Sequence, residues 1–466
     1  MDLYKIGNRT ELFADGVMAE RMDGAYLKLH SPTQCEVSVT GEKPWENGFG
    51  NTFGGYLGIH SVVPDLQGGY LLYYRGQGSS QSGRDADQGQ VTCLCRSHDG
   101  VHFERIDAGL HEFLGTTDNN IILRGMYSNN FSVFFDTHPA CEPDKRYKAL
   151  AGSKAFGLVS EEAGLYAYGS ADGIRWQLLS PRPVITDGFF DSQNLAFYDA
   201  GIAAYRCYSR YFDKECAGIA GNDWGFRAIQ SCISHDFINW SKPIPNQYGE
   251  SITEHFYTNA TIPCPGAEHI LLSFPKRFME TRKKIQEHEH TGISDTVFMA
   301  SRDGVNWTRL FKESWLRPGP DMGNWTDRNM LVGAGCVIMP DGSMSFYHTE
   351  HNGLPDNRIR RIQIRKHGFV SLSAEFAGGR AATPPLLYEG GRLRLNYSSS
   401  AAGYVKAALL PADADWASPE NAYTLYGDSL DEFYPLAPNS TVALAGRPVR
   451  LHFELKDADI FSFGFL

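Results

Sequence analysis

The chain has 466 residues, of which 42% are hydrophobic and 21% are charged, and its formal net charge is −11. This length exceeds what a single hydrophobic core normally supports, so two domains, or a repeat array with an added module, are expected. Because the balance is acidic and there is no long run of Lys or Arg, nucleic acid is excluded as the main partner. A neutral or cationic small ligand is expected rather than a polyanion.

The N-terminal residues 1–16 contain neither an apolar segment nor a small-residue cleavage site of the kind that marks a secretory signal. No stretch approaches the ~20 apolar residues that cross a bilayer, so no membrane partner is expected. The nine cysteines are scattered and include no C-x-x-C pair, which favours buried, reduced thiols over a zinc ribbon. The sequence therefore predicts a cytoplasmic protein.

Strands are predicted along the whole chain. Aromatic residues make up 13% of it and glycine contributes 48 residues, a composition typical of short strands joined by tight turns. Little of the chain has the periodicity of an amphipathic helix. Residues 1–45 are expected to form strands that dock on the rest of the fold.

A short motif, Ser-x-Asp-Gly-x-x-aromatic, recurs four times after this opening segment. Its copies begin at Ser97, Ser170, Ser234 and Ser301, which are 73, 64 and 67 residues apart, and the third copy has Phe237 in place of glycine. Ser and Asp side chains can bind the amides of a turn, and glycine supplies a positive φ. Since a β-like run precedes each copy, each motif is interpreted as the outer hairpin of a four-stranded unit.

Four such units, with a fifth that lacks the motif, predict a five-bladed β-propeller over residues 46–372. The sequence pattern then changes. In residues 393–397, 404–409 and 449–455, apolar and polar residues alternate as they do in half-buried strands. This pattern predicts a β-sandwich over residues 373–466. The expected fold class is thus all-β, a five-bladed propeller followed by a C-terminal β-sandwich.

Several short segments carry a resemblance to known proteins: Leu12–Gly16, Pro44–Glu46, Phe190–Asn194, Arg447–Leu451 and Asp457–Asp459. With the repeat, they resemble the five-bladed glycosidases of the invertase and inulinase type (glycoside hydrolase family 32) and of the arabinanase and xylosidase type (family 43), and uncharacterised bacterial proteins like them. The resemblance implies a sugar-cleaving enzyme. The resemblance also implies a structural or catalytic Ca²⁺ or other divalent ion at the propeller axis, and no other feature of the sequence points to this ion.

The chain also departs from these families. The family 32 motifs W-M-N-D-P-N-G and R-D-P are not present in full, since Phe190 and Ser192 flank Asp191 where R-D-P has Arg and Pro. Glu215-Cys216 matches the E-C motif, but it lies in a Gly-rich loop of the third blade and is interpreted as a chance match. The repeated motif resembles the sialidase Asp-box, but one residue is missing between Asp and Gly, and no arginine triad is evident. Fructosidase and sialidase activities are therefore not carried over.

Candidate catalytic residues are acids close to the start of a blade, because the inner strands of a propeller converge on a central funnel. Glycoside hydrolysis needs two carboxyl groups, one protonated and one ionised. Asp191 before the third blade is the preferred candidate, followed by Glu254 before the fourth and Glu46 before the first. The alternative for Asp191 is a cap at the strand entry that binds local amides, and for Glu46 it is a solvated turn acid or a charge that holds the N-terminal segment. For Glu254 the alternative is a position on the face of the strand that points away from the channel.

Candidate substrate-binding residues are side chains that can bind sugar hydroxyls or stack on a sugar ring. They are Asn130, Arg210, Tyr257, Asn259, His348 and Glu350. A structural hydrogen bond is the alternative for the first five, and a place in a surface loop is the alternative for Glu350. A metal site is left open, because several acids and histidines could cluster if the fourth and fifth blades meet at the axis: His255, His348, His351, Glu254 and Glu350.

The sequence therefore predicts a glycoside hydrolase or transglycosidase that acts on a small oligosaccharide or glycoside through two carboxylates in the funnel. A metal-dependent lyase or isomerase and a non-catalytic carbohydrate-binding propeller are the alternatives. An exposed edge of the predicted sandwich could support a homo-oligomer.

Overall fold

The computed structural model describes residues 3–47, 56–77, 90–125, 128, 130–153, 163–250, 253–288, 290–416, 419, 421–436 and 443–466. The all-β class is confirmed, since helices in these ranges are short: Pro143–Lys145, Lys214–Cys216, Ala217–Ala220 and Met322–Asn324. No helix of the described residues is long and apolar enough to cross a membrane.

The chain divides into two compact units. The first, which we call the five-sheet unit, contains Pro32–Pro263 and His269–Gln363. The second, the terminal unit, contains Met1–Ser31, Cys264–Glu268 and Ile364–Leu466. The sequence placed its divisions after residues 45 and 372 instead.

Antiparallel strands form successive sheets in the five-sheet unit. The first sheet contains Gly58–Pro64, Tyr70–Gln77, Gln90–Ser97, Glu104–Arg105 and Ile121–Arg124. The second contains Ser132–Phe135, Tyr147–Ser153, Gly164–Ser170 and Gln177–Leu178. The third contains Leu195–Asp199, Ala204–Asp213, Phe226–Ser234 and Ile244–Pro245.

The fourth group of strands forms two three-stranded parts, which are taken together here as the fourth sheet. One part contains His255–Phe256, Lys276–Met279 and Ile293–Thr296, and the other contains Ile262–Cys264, Ala267–Ser273 and Met299–Ser301. The break falls at Pro275, which has no N–H to continue a ladder. The fifth sheet contains Leu331–Val332, Val337–Ile338, Met344–Glu350, Arg358–Ile364 and Thr33–Thr40.

The edge strand of the fifth sheet comes from the beginning of the unit. In this pairing Thr40 lies opposite Arg358, and Val39 lies opposite Ile359. The first strand of the five-sheet unit is therefore hydrogen-bonded to its last. The sequence had grouped these residues with the opening segment.

The turn chemistry predicted for the repeated motif is confirmed. In the first copy, Gly100 N donates to Ser97 Oγ (2.9 Å), and the next two amides donate to Asp99 Oδ1 at 2.8 and 2.9 Å. Gly100 has a φ of 73°. Phe237, which replaces glycine in the third copy, has a φ of 67° and a fully buried ring, so packing holds a side chain in a conformation that favours glycine.

Tyrosine hydroxyls connect three of the motif turns to the middle strands of neighbouring sheets. The bonds join Tyr73 to Gly173 O (2.7 Å), Tyr208 to Gly304 O (2.8 Å) and Tyr347 to Gly100 O (2.5 Å). They connect the first sheet to the second, the third to the fourth, and the fifth to the first.

The remaining neighbours are in contact as well. The Phe134 and Phe237 rings of the second and third sheets lie 5.5 Å apart. Thr296 Oγ1 of the fourth sheet donates to Met330 O, beside the fifth, at 2.5 Å. The five sheets therefore follow one another in a closed cyclic order, with the apolar core between them.

The terminal unit is one ten-stranded sheet. Its strands are Tyr4–Gly7, Glu11–Leu12, Arg21–Asp23, Ala25–Leu29, Val370–Ala374, Gly379–Ala382, Leu386–Tyr388, Leu393–Pro411, Asp428–Phe433 and Val449–Phe465. The long strand Val449–Phe465 pairs with Leu393–Pro411 along much of its length. The predicted sandwich arrangement of these strands stays a prediction.

Candidate functional site

Charged and polar side chains from the five sheets and the connections that precede them form a continuous cluster that includes Asp191. Asp191 lies just before the first strand of the third sheet, and Asn130 lies just before that of the second. The other members come from the strands and connections of the remaining sheets. We call this cluster the Asp191 site and define it by Tyr56, Arg75, Asn130, Asp191, Arg210, Tyr257, Lys276, Asp327 and Arg328.

Arginines control the ionisation of Asp191. Burial alone would raise the pKa of its carboxyl group, but the charges of Arg75, Arg210 and Arg328 and a hydrogen bond from Asn130 outweigh burial and lower it. Asp191 is therefore a carboxylate at neutral pH. Such a group can accept a proton, attack a carbon atom or stabilise positive charge, whereas a proton donor needs a raised pKa.

Asn130 connects this carboxylate to the first sheet. Its side chain is buried, Arg75 Nη1 donates to its Oδ1 at 3.1 Å, and its Nδ2 donates to Phe190 O at 3.3 Å. Its φ of 55° is left-handed, as is the φ of 63° of Arg328. Residues held in this region cost on the order of 1–3 kcal/mol each, and they persist where the surrounding structure determines them.

The ring of Tyr257 lies against three cations. Lys276 Nζ is 4.2 Å from the ring centroid, and the guanidinium carbons of Arg210 and Arg227 are 4.8 and 5.1 Å from it. An aromatic face attracts cations through its quadrupole, most strongly where water is excluded. Tyr257 thus holds like charges together that would otherwise repel one another.

Lys276 is the member of the site that sequence reasoning missed. Its side chain is 1% exposed, and its Nζ has no hydrogen-bond partner among the described residues. Burial lowers the pKa of this amine to about 7; Asp327 opposes the shift, and Arg328, Arg227 and Arg210 add to it. Close to neutral pH, Lys276 can therefore give or accept a proton.

Two further members complete the surroundings. Arg75 Cζ lies 5.0 Å from the ring of Tyr56, and burial raises the pKa of that tyrosine to about 12, which keeps its hydroxyl protonated. Arg328 Nε pairs with Asp327 Oδ2 at 3.0 Å, while the Arg328 side chain stays 39% exposed. The site therefore has a solvent-accessible cation beside buried groups.

Glu254 lies in an ion-pair network. It pairs with Arg277 at 3.0 Å and with Arg309, and Arg277 also binds Asp295. No contact of Glu254 with the Asp191 site is found among the described residues.

Asn259 supports the Asp191 site from behind. Its Nδ2 donates to Gln193 O at 3.2 Å, and its backbone N donates to Gln193 Oε1 at 3.2 Å. Because Gln193 lies two residues after Asp191, these bonds join the third sheet to the fourth next to the carboxylate. Asn259 is best described as a positioning residue.

His348 and Glu350 lie on a middle strand of the fifth sheet. Glu350 accepts hydrogen bonds from Arg358 Nε (2.7 Å) and Arg360 Nε (2.9 Å); burial raises its pKa, but His348 and these arginines lower it overall. Burial lowers the pKa of His348 to about 4, so its ring is neutral. Within the described chain neither is joined to the Asp191 site.

Glu46 is fully buried and saturated with hydrogen bonds. Its Oε1 accepts from Tyr74 OH (2.5 Å) and Arg105 Nε (2.8 Å), and its Oε2 accepts from Arg105 Nη2 (2.7 Å). The amides of Glu42 and Lys43 also donate to Oε2. This arrangement joins the segment before the first sheet to that sheet.

Glu46→Gln should therefore destabilise the fold rather than alter the chemistry of the site. Removing one partner of a buried ion pair costs about 3–5 kcal/mol, because the other charge stays behind. Chemical denaturation should show a loss of this size, while Glu42→Gln, an exposed change in the same segment, should leave stability unaltered. Wild-type stability combined with lost turnover in Glu46→Gln would instead support a catalytic role.

Metal binding by the sites suggested above stays a prediction. In the part of the chain that the structure describes, no group of three or more His, Cys, Asp or Glu side chains is arranged to hold a metal ion. His255 lies against Arg227 and Glu280, and His351 binds Asp321 and Asp356. These histidines therefore do not meet in one cluster.

No protein-family model matches the chain, and no curated protein matches it. Solved structures that match parts of this chain include a glycosyl hydrolase from Bacteroides ovatus, at 12% identity and a TM-score of 0.44, covering 75% of this chain and 97% of that one. An N-acetylgalactosamine deacetylase from F. plautii has 12% identity and a TM-score of 0.45, covering 73% and 96%.

A protein of unknown function from Dyadobacter fermentans is similar over more of the chain. It has 10% identity and a TM-score of 0.40, and the match covers 93% of this chain and 99% of that one. At these identities and TM-scores, the similarities establish neither a family nor an activity.

Proposed function

We propose that the five sheets are the blades of a five-bladed β-propeller, with the Asp191 site at the axis where the blades meet. The closed cyclic order of the sheets supports this interpretation. So does the origin of the site, since every sheet contributes at least one member. In a propeller, only positions close to the axis can collect side chains from all blades.

We propose further that the protein is an enzyme that cleaves glycosides. One observation carries this proposal: Asp191, an ionised carboxylate, lies among Arg75, Arg210 and Arg328, and Arg210 shares the ring of Tyr257 with the amine of Lys276, whose pKa is about 7. Cleavage of a glycosidic bond needs a proton donor for the leaving oxygen and a negative group facing the positively charged transition state. The resemblance of Phe190–Asn194 to the five-bladed glycosidases supports a sugar as the substrate.

In this mechanism Lys276 takes the role that the sequence had given to a second carboxylate. Its ammonium group donates a proton to the glycosidic oxygen while the bond from that oxygen to the anomeric carbon breaks. Asp191 stabilises the positive charge that develops on the sugar. Water then supplies the hydroxyl group of the new reducing end, and its remaining proton returns to the amine.

An elimination reaction is the second candidate function. A pKa of about 7 leaves much of the Lys276 amine neutral at neutral pH, so it can also act as a base. In a uronic acid residue, the base would take the proton next to the carboxylate, a C=C bond would form as the C4–O bond breaks, and the protonated Lys276 would return the proton to the leaving oxygen. Arg75, Arg210 and Arg328 would stabilise the charge on the carboxylate meanwhile.

The pH profile tests the proposed function and separates the two reactions. Wild-type protein is incubated with neutral and acidic oligosaccharides between about pH 5 and pH 9, and products are identified by mass and ultraviolet absorbance. If Lys276 is the acid, the rate should fall as pH rises through about 7, and the products should contain added water. If it is the base, the rate should rise, and an unsaturated product should absorb.

Lys276→Met should abolish the change in rate around pH 7, whereas Lys284→Met, a change at an exposed residue, should retain it. Absence of any product from every oligosaccharide across the whole pH range would contradict an enzyme of either kind. If the change in rate around pH 7 were the same in Lys276→Met as in the wild type, Lys276 would not be the group that transfers the proton.

A further inference from the structure

We propose that the Asp191 site recognises a sugar that carries an oxyanion, and that Arg75 and Arg210 bind this group while Lys276 adds positive charge nearby. The inference rests on the proposed function, because it names the substrate class of the same site. It replaces the expectation of a neutral or cationic ligand, which followed from the net charge of the whole chain.

Positive charge exceeds negative charge in the site. Arg328 is paired with Asp327, and Arg227 is paired with Glu280 at 3.1 Å. Neither Arg75 nor Arg210 has a carboxylate within ion-pair distance among the described residues, and the same holds for Lys276. The nearby carboxylate of Asp191 is a single negative charge for these three cations, so an added anion would balance them.

Several hydrogen-bond donors of these cations also lack acceptors. Arg75 Nε is buried with no partner among the residues that the structure describes, although its Nη1 and Nη2 bind Asn130 and Gln77 at 3.1 Å. Arg210 uses its Nε to bind Phe189 O at 3.2 Å. Lys276 Nζ has no partner in the described chain, yet its residue is 1% exposed.

Such an arrangement is costly without a ligand. A buried donor without an acceptor costs about 1–3 kcal/mol, and more where it is charged. Among the described residues this cost applies to Nε of Arg75, and the unbonded amine of Lys276 lies near Arg210, whose charge also acts on Asp191. An oxyanion on the substrate would accept hydrogen bonds from these donors in the water-poor part of the site.

The chemistry of the donors fits an oxyanion on a small molecule. A guanidinium group offers parallel N–H donors that match carboxylate, sulfate and phosphate oxygens alike. Long polyanions are disfavoured, because the chain as a whole has a net charge of −11. The shared chemistry is therefore one anionic group on a sugar, whether uronate, sulfate ester or phosphate ester.

Calorimetric binding to matched sugars tests the proposal. The probes are pairs that differ mainly in charge, galactose with galacturonate and glucose with glucuronate, together with galactose 6-sulfate and galactose 6-phosphate. We expect at least one anionic member to bind about tenfold or more tightly than its neutral partner, with an advantage that decreases as salt is added. The member that binds best identifies the source of the oxyanion.

Variants assign this preference to the site. Arg210→Gln should bring the affinity for the anionic sugar down to that for the neutral one, and Arg210→Lys should keep a part of the preference because it keeps the charge. Arg282→Gln, an exposed change, should bind as the wild type does. Melting temperatures show whether each variant is folded. If Arg210→Gln does not fold, the comparison of Arg210→Lys with the wild type provides the test.

Equal affinity for both members of every pair would overturn the proposal, and so would a preference that both Arg210 variants retain in full. Neither result depends on turnover. Loss of the anion preference alongside an active enzyme would leave the proposed function in place. If the protein bound anionic sugars but had no enzymatic activity, the proposed function would be wrong, whereas the proposal that the ligand is anionic would stand.

Discussion

Asp191→Asn should lower the turnover of the protein's carbohydrate substrate by about 1,000-fold or more, with the fold retained. Asparagine has nearly the same shape, but it removes the negative charge that three arginines keep ionised. Without this charge, the developing positive charge on the sugar in hydrolysis has no counterpart. The measurement is kcat/KM on the substrate found in the oligosaccharide screen, together with a melting curve.

Two matched changes make this result specific. Asp107→Asn alters an exposed acid of the same unit and should leave turnover unchanged. Glu254→Gln alters the second acid that the sequence proposed, and it should lose stability through Arg277 and Arg309 while the folded protein retains most of its turnover. If kcat/KM of Asp191→Asn stayed within about tenfold of the wild-type value while Glu254→Gln became inactive, the active site would lie at Glu254 rather than at Asp191.

Some of the residues that the sequence proposed lie together in the Asp191 site, and others lie apart from it. Asp191, Asn130, Arg210 and Tyr257 were candidates, and the structure brings them together. Glu254 was a candidate for the same reason, its position before a blade. Local position does not determine which way a side chain points, and Glu254 turns to Arg277 and Arg309, which lie far along the chain.

Lys276 carried no signal in the sequence that sets it apart. It follows the apolar run Ile270–Phe274, where a lysine normally marks the exposed end of a strand. The break at Pro275 and the ring of Tyr257 instead enclose it. Its altered pKa depends on burial and on arginines from other sheets, none of which a local pattern reveals.

The fold shows the same division between local and distant information. The Ser-x-Asp-Gly turn was predicted correctly, because its bonds lie within six residues, as those between Ser97 and His102 do. The pairing of Thr33–Thr40 with Arg358–Ile364 was not anticipated, since strand pairing between distant segments leaves little trace in either one. Yet this pairing joins the fifth sheet to the start of the unit.

The net charge of the chain was a poor guide to the charge of its site. An overall value of −11 describes the whole chain, whereas a recessed site responds to the few groups that surround it. Here Arg75, Arg210 and Arg328 come from three different sheets and meet around one carboxylate. Their positions are far apart in the sequence, so no basic cluster is visible there.

Lys276→Met should stabilise the protein at neutral and acidic pH, because the wild type keeps a lysine buried at the expense of its charge. The pKa of Lys276 is about 7 in the folded protein against an ordinary value of 10.5. Between these values the unfolded chain binds a proton that the folded one lacks, so the wild type gains stability as pH rises. Below about pH 7 the penalty is present in full, about 5 kcal/mol.

The difference between the two proteins should therefore be largest at about pH 6 and should decrease towards pH 10.5, which denaturation at several pH values can measure. Methionine has a similar volume and flexible packing, so it should fill the space against Tyr257 without a large packing cost. Lys284→Met provides the control and should show no such pH dependence, since its side chain is exposed. A Lys276→Met protein that is less stable than the wild type at pH 6 would mean that the charge is compensated inside the fold. A stabilised but inactive variant would indicate that the lysine is kept for function, since a residue that lowers stability persists where activity depends on it.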